Sequence, residues 1–136
     1  MDSITLDRAE ADATQLAGPP EPSVLVVDDE PSIRAFLASA LEDEGFNVLT
    51  AADGSEALQV ARRRPPDVVL TDLMMPRCDG YQLIDGLRQD RVPVHAIIAM
   101  SAVHTAAERN PPADLFLPKP FPIEQVVASV RALLTA

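Results

Sequence analysis

Four short apolar runs in this chain each give way to a residue that can do chemistry. SVLVV runs into Asp28-Asp29, DVVLT into Asp72, the run ending in IIAM into Ser101, and LFLP into Lys119. Brought together, Asp28, Asp29 and Asp72 would carry a formal charge of −3. Carboxylates packed in this way repel one another and raise each other's pKa unless something offsets them. A hard divalent cation with oxygen ligands removes that conflict, and Mg2+ commonly rests on one or two carboxylates plus phosphate oxygens. With Mg2+ and the Lys119 ammonium in place, the set is neutral before any phosphate arrives. Asp72 is then the candidate nucleophile. A carboxylate is already ionised at neutral pH, needs no general base, and forms aspartyl phosphates in known chemistry. Phosphoryl transfer is mostly positioning and charge stabilisation. The cation and Lys119 would supply most of it, and Ser101 would hydrogen-bond a phosphate oxygen. An acyl phosphate also hydrolyses readily, so such a mark erases itself.

Each of these residues has a plainer reading. Asp29 or Glu30, before Pro31, can simply cap a helix. Asp72 can be a turn residue, Ser101 ordinary loop chemistry and Lys119 a solvated charge between two prolines. Their shared position at the ends of apolar runs carries the inference. One compositional fact supports it: of 11 basic residues ten are arginine, and Lys119 is the only lysine. An ammonium is a compact charge on a flexible stem, which a planar guanidinium does not replace.

The elements that would position these groups alternate. Ser23–Val27 reads as a strand buried on both faces. Ile33, Phe36, Leu37, Ala40 and Leu41 then recur at helical spacing after Pro31, which suits a first helical turn, and Gly45 ends the helix. Phe46–Ala51 reads as a second strand and Ser55–Arg64 as a second helix, stopped by Pro65-Pro66. Asp67–Thr71 is a third strand, and a helix with Tyr81, Ile84 and Leu87 on one side follows the MMPRCDG loop. Val94–Met100 and Leu115–Pro118 complete the strands, and Ile123, Val126, Val127, Val130, Leu133 and Leu134 form a last helical stripe. The expectation is an α/β fold: a five-stranded parallel sheet of order 2-1-3-4-5, flavodoxin-like and doubly wound, covered on both faces. In that winding strands one and three are neighbours where strand order reverses, and ligands bind beyond the C-terminal strand ends.

The 136 residues suit one domain. Residues 1–22 hold Asp2, Asp7, Glu10, Asp12 and Glu21 against Arg8, with few large apolar groups. They are expected to be a disordered acidic tail ahead of a domain at 23–136. No apolar run approaches the roughly 18–20 residues needed to cross a bilayer, and the N-terminus is no secretory signal, so the expectation is a cytoplasmic protein with no membrane partner. The single Cys78 excludes an internal disulfide and a multi-cysteine metal site. Beside Arg77 it is read as a bystander. With 21 acidic residues and a net charge of −10 there is no basic face, so no nucleic-acid partner is expected. Arg62-Arg63-Arg64 is read as a helix's last turn. His104, near the site, is read as a surface histidine, and His95, at the start of a strand, as a strand-end side chain.

Residues Ser23–Ala136 resemble response-regulator receiver domains of two-component signalling, such as the chemotaxis receiver. The likeness is carried by VLVVDDEP (Val24–Pro31), DVVLTDLMMPRCDG (Asp67–Gly80), MSA (Met100–Ala102) and KPF (Lys119–Phe121). The resemblance implies that Asp72 is the phosphoacceptor, that Asp28, Asp29 and Asp72 bind Mg2+ with the backbone carbonyl of Met74, and that Lys119 senses phosphate. Ser101 would be the switch hydroxyl and Phe116 the aromatic that rotates with it. It further implies a sensor histidine kinase or histidine phosphotransfer protein as donor and a downstream protein target. The domain would not be an enzyme beyond promoting its own Mg2+-dependent phosphorylation and dephosphorylation.

Because the chain ends one helix after KPF, it is expected to be a stand-alone receiver. An aspartate-nucleophile phosphohydrolase is disfavoured because the position two after Asp72, where such enzymes need a second carboxylate, is Met74. That apolar neighbour also suggests slow self-dephosphorylation. Only AVHTAAERNPPA separates Ser101 from Asp114, and Pro111-Pro112 cannot extend a helix, so a short or distorted fourth helix is expected there. This departure leaves a degenerate receiver, binding partners without phosphorylation, as the alternative.

Overall fold

The computed structural model describes residues 21–75, 78–102 and 113–135. Its elements alternate: β1 (Ser23–Val27), α1 (Pro31–Asp43), β2 (Asn47–Ala51), α2 (Gly54–Arg63), β3 (Val68–Asp72), α3 (Gly80–Gln89), β4 (Ala96–Ser101), β5 (Leu115–Pro118) and α4 (Ile123–Leu134). All strand pairs are parallel and the order is β2-β1-β3-β4-β5, as expected.

The apolar runs become central strands because their alternating side chains feed two separate cores. Leu25, Val27, Val69, Ile97 and Ala99 point to one face, where Ala57 and Ala61 of α2 and Leu83, Ile84 and Leu87 of α3 cover them. Val24, Val26, Val68, Leu70, Ile98 and Met100 point to the other, beneath Leu37 and Leu41 of α1 and Val126 and Val130 of α4. Truncating a fully buried member such as Leu25, Leu70 or Ile98 to alanine removes roughly 2–5 kcal/mol of stability.

Several boundaries shift from the sequence expectation for local reasons. Phe46 belongs to the turn after α1, because its N–H donates to Leu41 O at 3.2 Å. Gly45 precedes it at φ +95°, a backbone that glycine adopts without strain. β4 starts at Ala96, since the N–H groups of His95 and Ala96 both converge on Asp67 O. His95 Nε2 lies 2.9 Å from Leu133 O, tying the start of β4 to the end of α4. α2 begins at Gly54 because Asp53 caps it, accepting from Glu56 N at 2.9 Å. Arg62 and Arg63 do occupy its last turn, and Arg62 Nε donates to Asp90 Oδ2 at 2.6 Å. Phe36 does not join the core stripe of α1: it is 59% exposed. It sits one residue off the Ile33–Leu37–Leu41 line, about 100° around the helix.

Residues 1–20 of the expected 1–22 tail, residues 103–112 of the stretch where a short fourth helix is expected, with His104, and Arg77 lie outside the described residues. No helix among the described residues is long and apolar enough to cross a membrane.

Candidate functional site

Strand register delivers the predicted residues to one rim. Val27 pairs with Thr71, so Asp28 comes level with Asp72. Asp72 pairs with Met100, which places Ser101 one step beyond, and Ser101 pairs with Pro118, which puts Lys119 next. Lys119 N–H donates to Ser101 O at 2.9 Å, pinning the base of the lysine to β4. Among the described residues the buried polar ones are Asp28, Thr71, Asp72 and Ser101, all at this end of the sheet. A core admits polar groups only where they are partnered, so this concentration marks the rim as chemically distinct.

Asp28 is completely buried. Its Oδ1 accepts from Glu30 N at 2.9 Å and its Oδ2 from Lys119 Nζ at 3.4 Å. Its N–H donates to Ala51 O, and its carbonyl accepts from Arg34 Nη1 at 2.7 Å. Asp72 Oδ2 lies at the same 3.4 Å from Lys119 Nζ, while Oδ1 accepts from Met74 N at 3.3 Å. One ammonium thus bridges two carboxylates. Asp29 completes the group: Asp28, Asp29 and Asp72 each bring a carboxylate oxygen within 4.8 Å of the others. Glu30 is the N-cap of α1 but makes no side-chain cap bond.

Burial is the main reason the Asp72 carboxyl titrates above the ordinary aspartate range, and the Asp28 charge adds to it; Lys119 and the Met74 N–H pull the other way. An all-oxygen cluster of three carboxylates, held together against their repulsion, suits a hard cation such as Mg2+.

The loop after Asp72 is folded back tightly. Gly80 N–H donates to Leu73 O, and a Cβ at residue 80 would stand 2.5 Å from Asp72 O and 2.8 Å from Leu73 Cα. Asp79 and Gln82 then form a reciprocal capping box that starts α3. A Cβ at Gly54 would likewise stand 2.7 Å from Cys78 O, so this loop also packs against the start of α2. Cys78 shows no activation: burial, with Asp53 and Asp79 nearby, raises its thiol pKa. Met74, beside the acids, leaves 48% of its surface exposed. Phe116 is half-buried against the α2–α3 core.

Sequence reasoning missed two contributors. Thr71 is fully buried and donates Oγ1–H to Asp72 O at 2.8 Å, inside a run that looked uniformly apolar. Arg34 falls within the helical stretch after Pro31, and its reach back to Asp28 has no sequence signal.

A doubly wound parallel sheet with an acid cluster and a lysine at the point where strand order reverses defines a flavodoxin-like α/β domain whose ligand crevice lies beyond the carboxyl ends of its strands. The chain matches the response regulator receiver domain family over residues 24–131, and it belongs to that family, the receiver domains of two-component systems. Among curated relatives it is 44% identical over 115 residues to the probable transcriptional regulatory protein TcrX of Mycobacterium tuberculosis, covering 82% of this chain and 49% of that protein. It is 40% identical over 114 residues to the response regulator MprA of Mycobacterium leprae, covering 82% and 50% respectively. Among solved structures, the Francisella response regulator 1452 receiver domain superposes with a TM-score of 0.77 at 32% identity, covering 85% of this chain and 98% of that one. The Vibrio cholerae chemotaxis protein CheY4 does so with a TM-score of 0.75 at 30% identity, covering 83% and 98%.

The chain spans about half the length of the curated relatives it matches. TcrX is named as a probable transcriptional regulatory protein, and a further relative, ycf27 of Porphyridium aerugineum, 41% identical over 115 residues, as a probable transcriptional regulator, which overturns the expectation that nucleic acid plays no part. The acidic balance of −10 describes this one segment, and a charge argument confined to it does not extend to proteins twice its length.

Proposed function

We propose that residues 23–136 form a receiver unit that accepts a phosphoryl group on Asp72 from a phosphohistidine donor and uses the modification to change its protein contacts. The observation that carries this reading is the single Lys119 ammonium lying 3.4 Å from both Asp28 and Asp72 beside the three-acid cluster. In the transfer, an Asp72 carboxylate oxygen forms the new O–P bond as the donor's N–P bond breaks, and the departing imidazole keeps its electron pair and takes a proton. Asp28, Asp29, Asp72 and the Met74 carbonyl would hold Mg2+, which when bound offsets the charge of the acids and of the phosphoryl oxygens. Lys119 donates to one phosphoryl oxygen, exchanging a carboxylate partner for a phosphate one, and the Ser101 hydroxyl donates to another. Phe116, one strand residue back from Leu117 and three before Lys119, follows the rearrangement of Ser101. Phosphorylation and Mg2+ binding are general properties of the family to which the chain belongs.

Intact mass after incubation with acetyl phosphate and Mg2+ tests this. One phosphoryl adduct is expected, lost in Asp72→Asn and in the presence of chelator. Absence of any adduct with small donors and with phosphohistidine proteins would refute it.

A further inference from the structure

Arg34 is the second cation on this rim, and nothing in the phosphoryl chemistry uses it. It is the fourth residue of α1, half-buried, and its Nη1 donates to Asp28 O at 2.7 Å. That carbonyl belongs to the peptide linking Asp28 to Asp29. The ladder partners of β1 end at Val27, so this is the peptide with which the chain leaves the sheet. Asp28 itself is held independently by Ala51 O, Glu30 N and Lys119 Nζ. Asp29 is exposed, and the orientation of the peptide preceding it governs where its carboxylate stands relative to Asp28 and Asp72.

We propose that Arg34 is a positioning residue that locks the Asp28–Asp29 peptide from α1 and so keeps the Asp29 carboxylate in the cation-binding cluster. The proposal rests on the reading of Asp28, Asp29 and Asp72 as a cation site. Positioning and charge predict opposite signs here. A nearby guanidinium repels a divalent cation, so if charge were its whole effect, removing it would tighten Mg2+ binding. If Arg34 orients a ligand, removing it weakens binding, and hydrogen-bond partners that orient metal ligands are typically worth 10–100-fold in affinity.

Calorimetric titration of Mg2+ into the full 136-residue chain separates these, using wild type, Arg34→Met, Arg34→Lys and an Asp29→Asn control. The expected result is binding weakened about tenfold in Arg34→Met and largely recovered in Arg34→Lys, which keeps a donor on a long stem. The Asp29 backbone amide resonance of the metal-free protein should move in Arg34→Met and return in Arg34→Lys, a readout that loss of global stability does not produce. If Arg34→Met fails to fold, Arg34→Leu, which likewise lacks a donor, takes its place with the same expectation. Unchanged or tighter Mg2+ binding in the folded neutral variant overturns the proposal. A wild-type chain that takes up no Mg2+ overturns the cation reading itself, and with it the role of Arg34.

Discussion

Replacing Lys119 with methionine removes the charge that holds the rim together while keeping most of the side chain's bulk. At an effective dielectric constant near 20, each contact of Lys119 Nζ with Asp28 and Asp72 at 3.4 Å corresponds to about 5 kcal/mol of attraction. The Asp28–Asp72 pair, with oxygens within 4.8 Å, corresponds to about 3.5 kcal/mol of repulsion on the same basis, and Asp29, being exposed, adds less. Lys119 therefore more than offsets the repulsion between the two acids it bridges. In the variant the repulsion stands alone. Breaking a buried pair typically costs 3–5 kcal/mol, and because the Lys119 side chain is 20% exposed, about 2–4 kcal/mol is expected at pH 7.

The loss should depend on pH with a definite sign. The Asp72 carboxyl already titrates above the ordinary aspartate value of 3.8, mainly through burial, and Lys119 is the largest influence pulling it down. Without Lys119 it moves further up, so the folded variant binds protons that the unfolded chain has released. Stability of Lys119→Met then falls as pH rises from about 3.8 through the folded pKa and is regained on acidification. Urea unfolding of wild type and variant at pH 7 and pH 4, with and without Mg2+, measures this. The deficit should shrink at pH 4 and in saturating Mg2+. A deficit equal under all conditions would show that Lys119 stabilises by packing and would refute the electrostatic account.

Asp72→Asn should remove phosphoryl uptake, yet raise the melting temperature at pH 7 by removing a desolvated charge. By the same sign the gain should vanish near pH 3.8 in a thermal scan. Gly80→Ala forces a methyl against Asp72 O and Leu73 Cα, backbone atoms that cannot swing aside. A loss of about 1–3 kcal/mol or more is expected in urea unfolding, with slower phosphorylation by acetyl phosphate. Met74→Asn replaces the half-exposed apolar side chain next to the Asp72 carboxylate with one that can hold water. Following the decay of the phosphorylated mass should show a shorter lifetime; an unchanged lifetime would remove Met74 from the path of water.

How much of this was legible in the sequence depended on the kind of force involved. β5 was read at its observed limits because LFLP is bracketed by polar and proline residues, and the central strands were read because burial on both faces leaves unbroken apolar runs. The convergence of Asp28, Asp29, Asp72 and Lys119 followed from strand order, a global rule of chain winding. Contacts that depend on backbone direction within one turn were not legible. Thr71 closes a predicted strand with nothing to mark its hydroxyl's partner, and no pattern signals the reach of Arg34 to Asp28. Phe36 passed for a core residue because a stripe of apolar letters does not reveal a single residue rotated off it. Nothing in the sequence distinguishes Gly54 and Gly80, although each permits a backbone approach no larger residue allows.

Asp114 grips Ile97 twice, its N–H donating to Ile97 O at 2.8 Å and its Oδ2 accepting from Ile97 N at 2.7 Å. This clamp sets the alignment of the last strand from its first residues onward, upstream of the lysine. Lys119 is thereby held from both directions: the Asp114 clamp fixes where β5 begins, and Ser101 O takes the Lys119 N–H where it ends, so backbone on either side sets how far the ammonium must stretch to reach the acids.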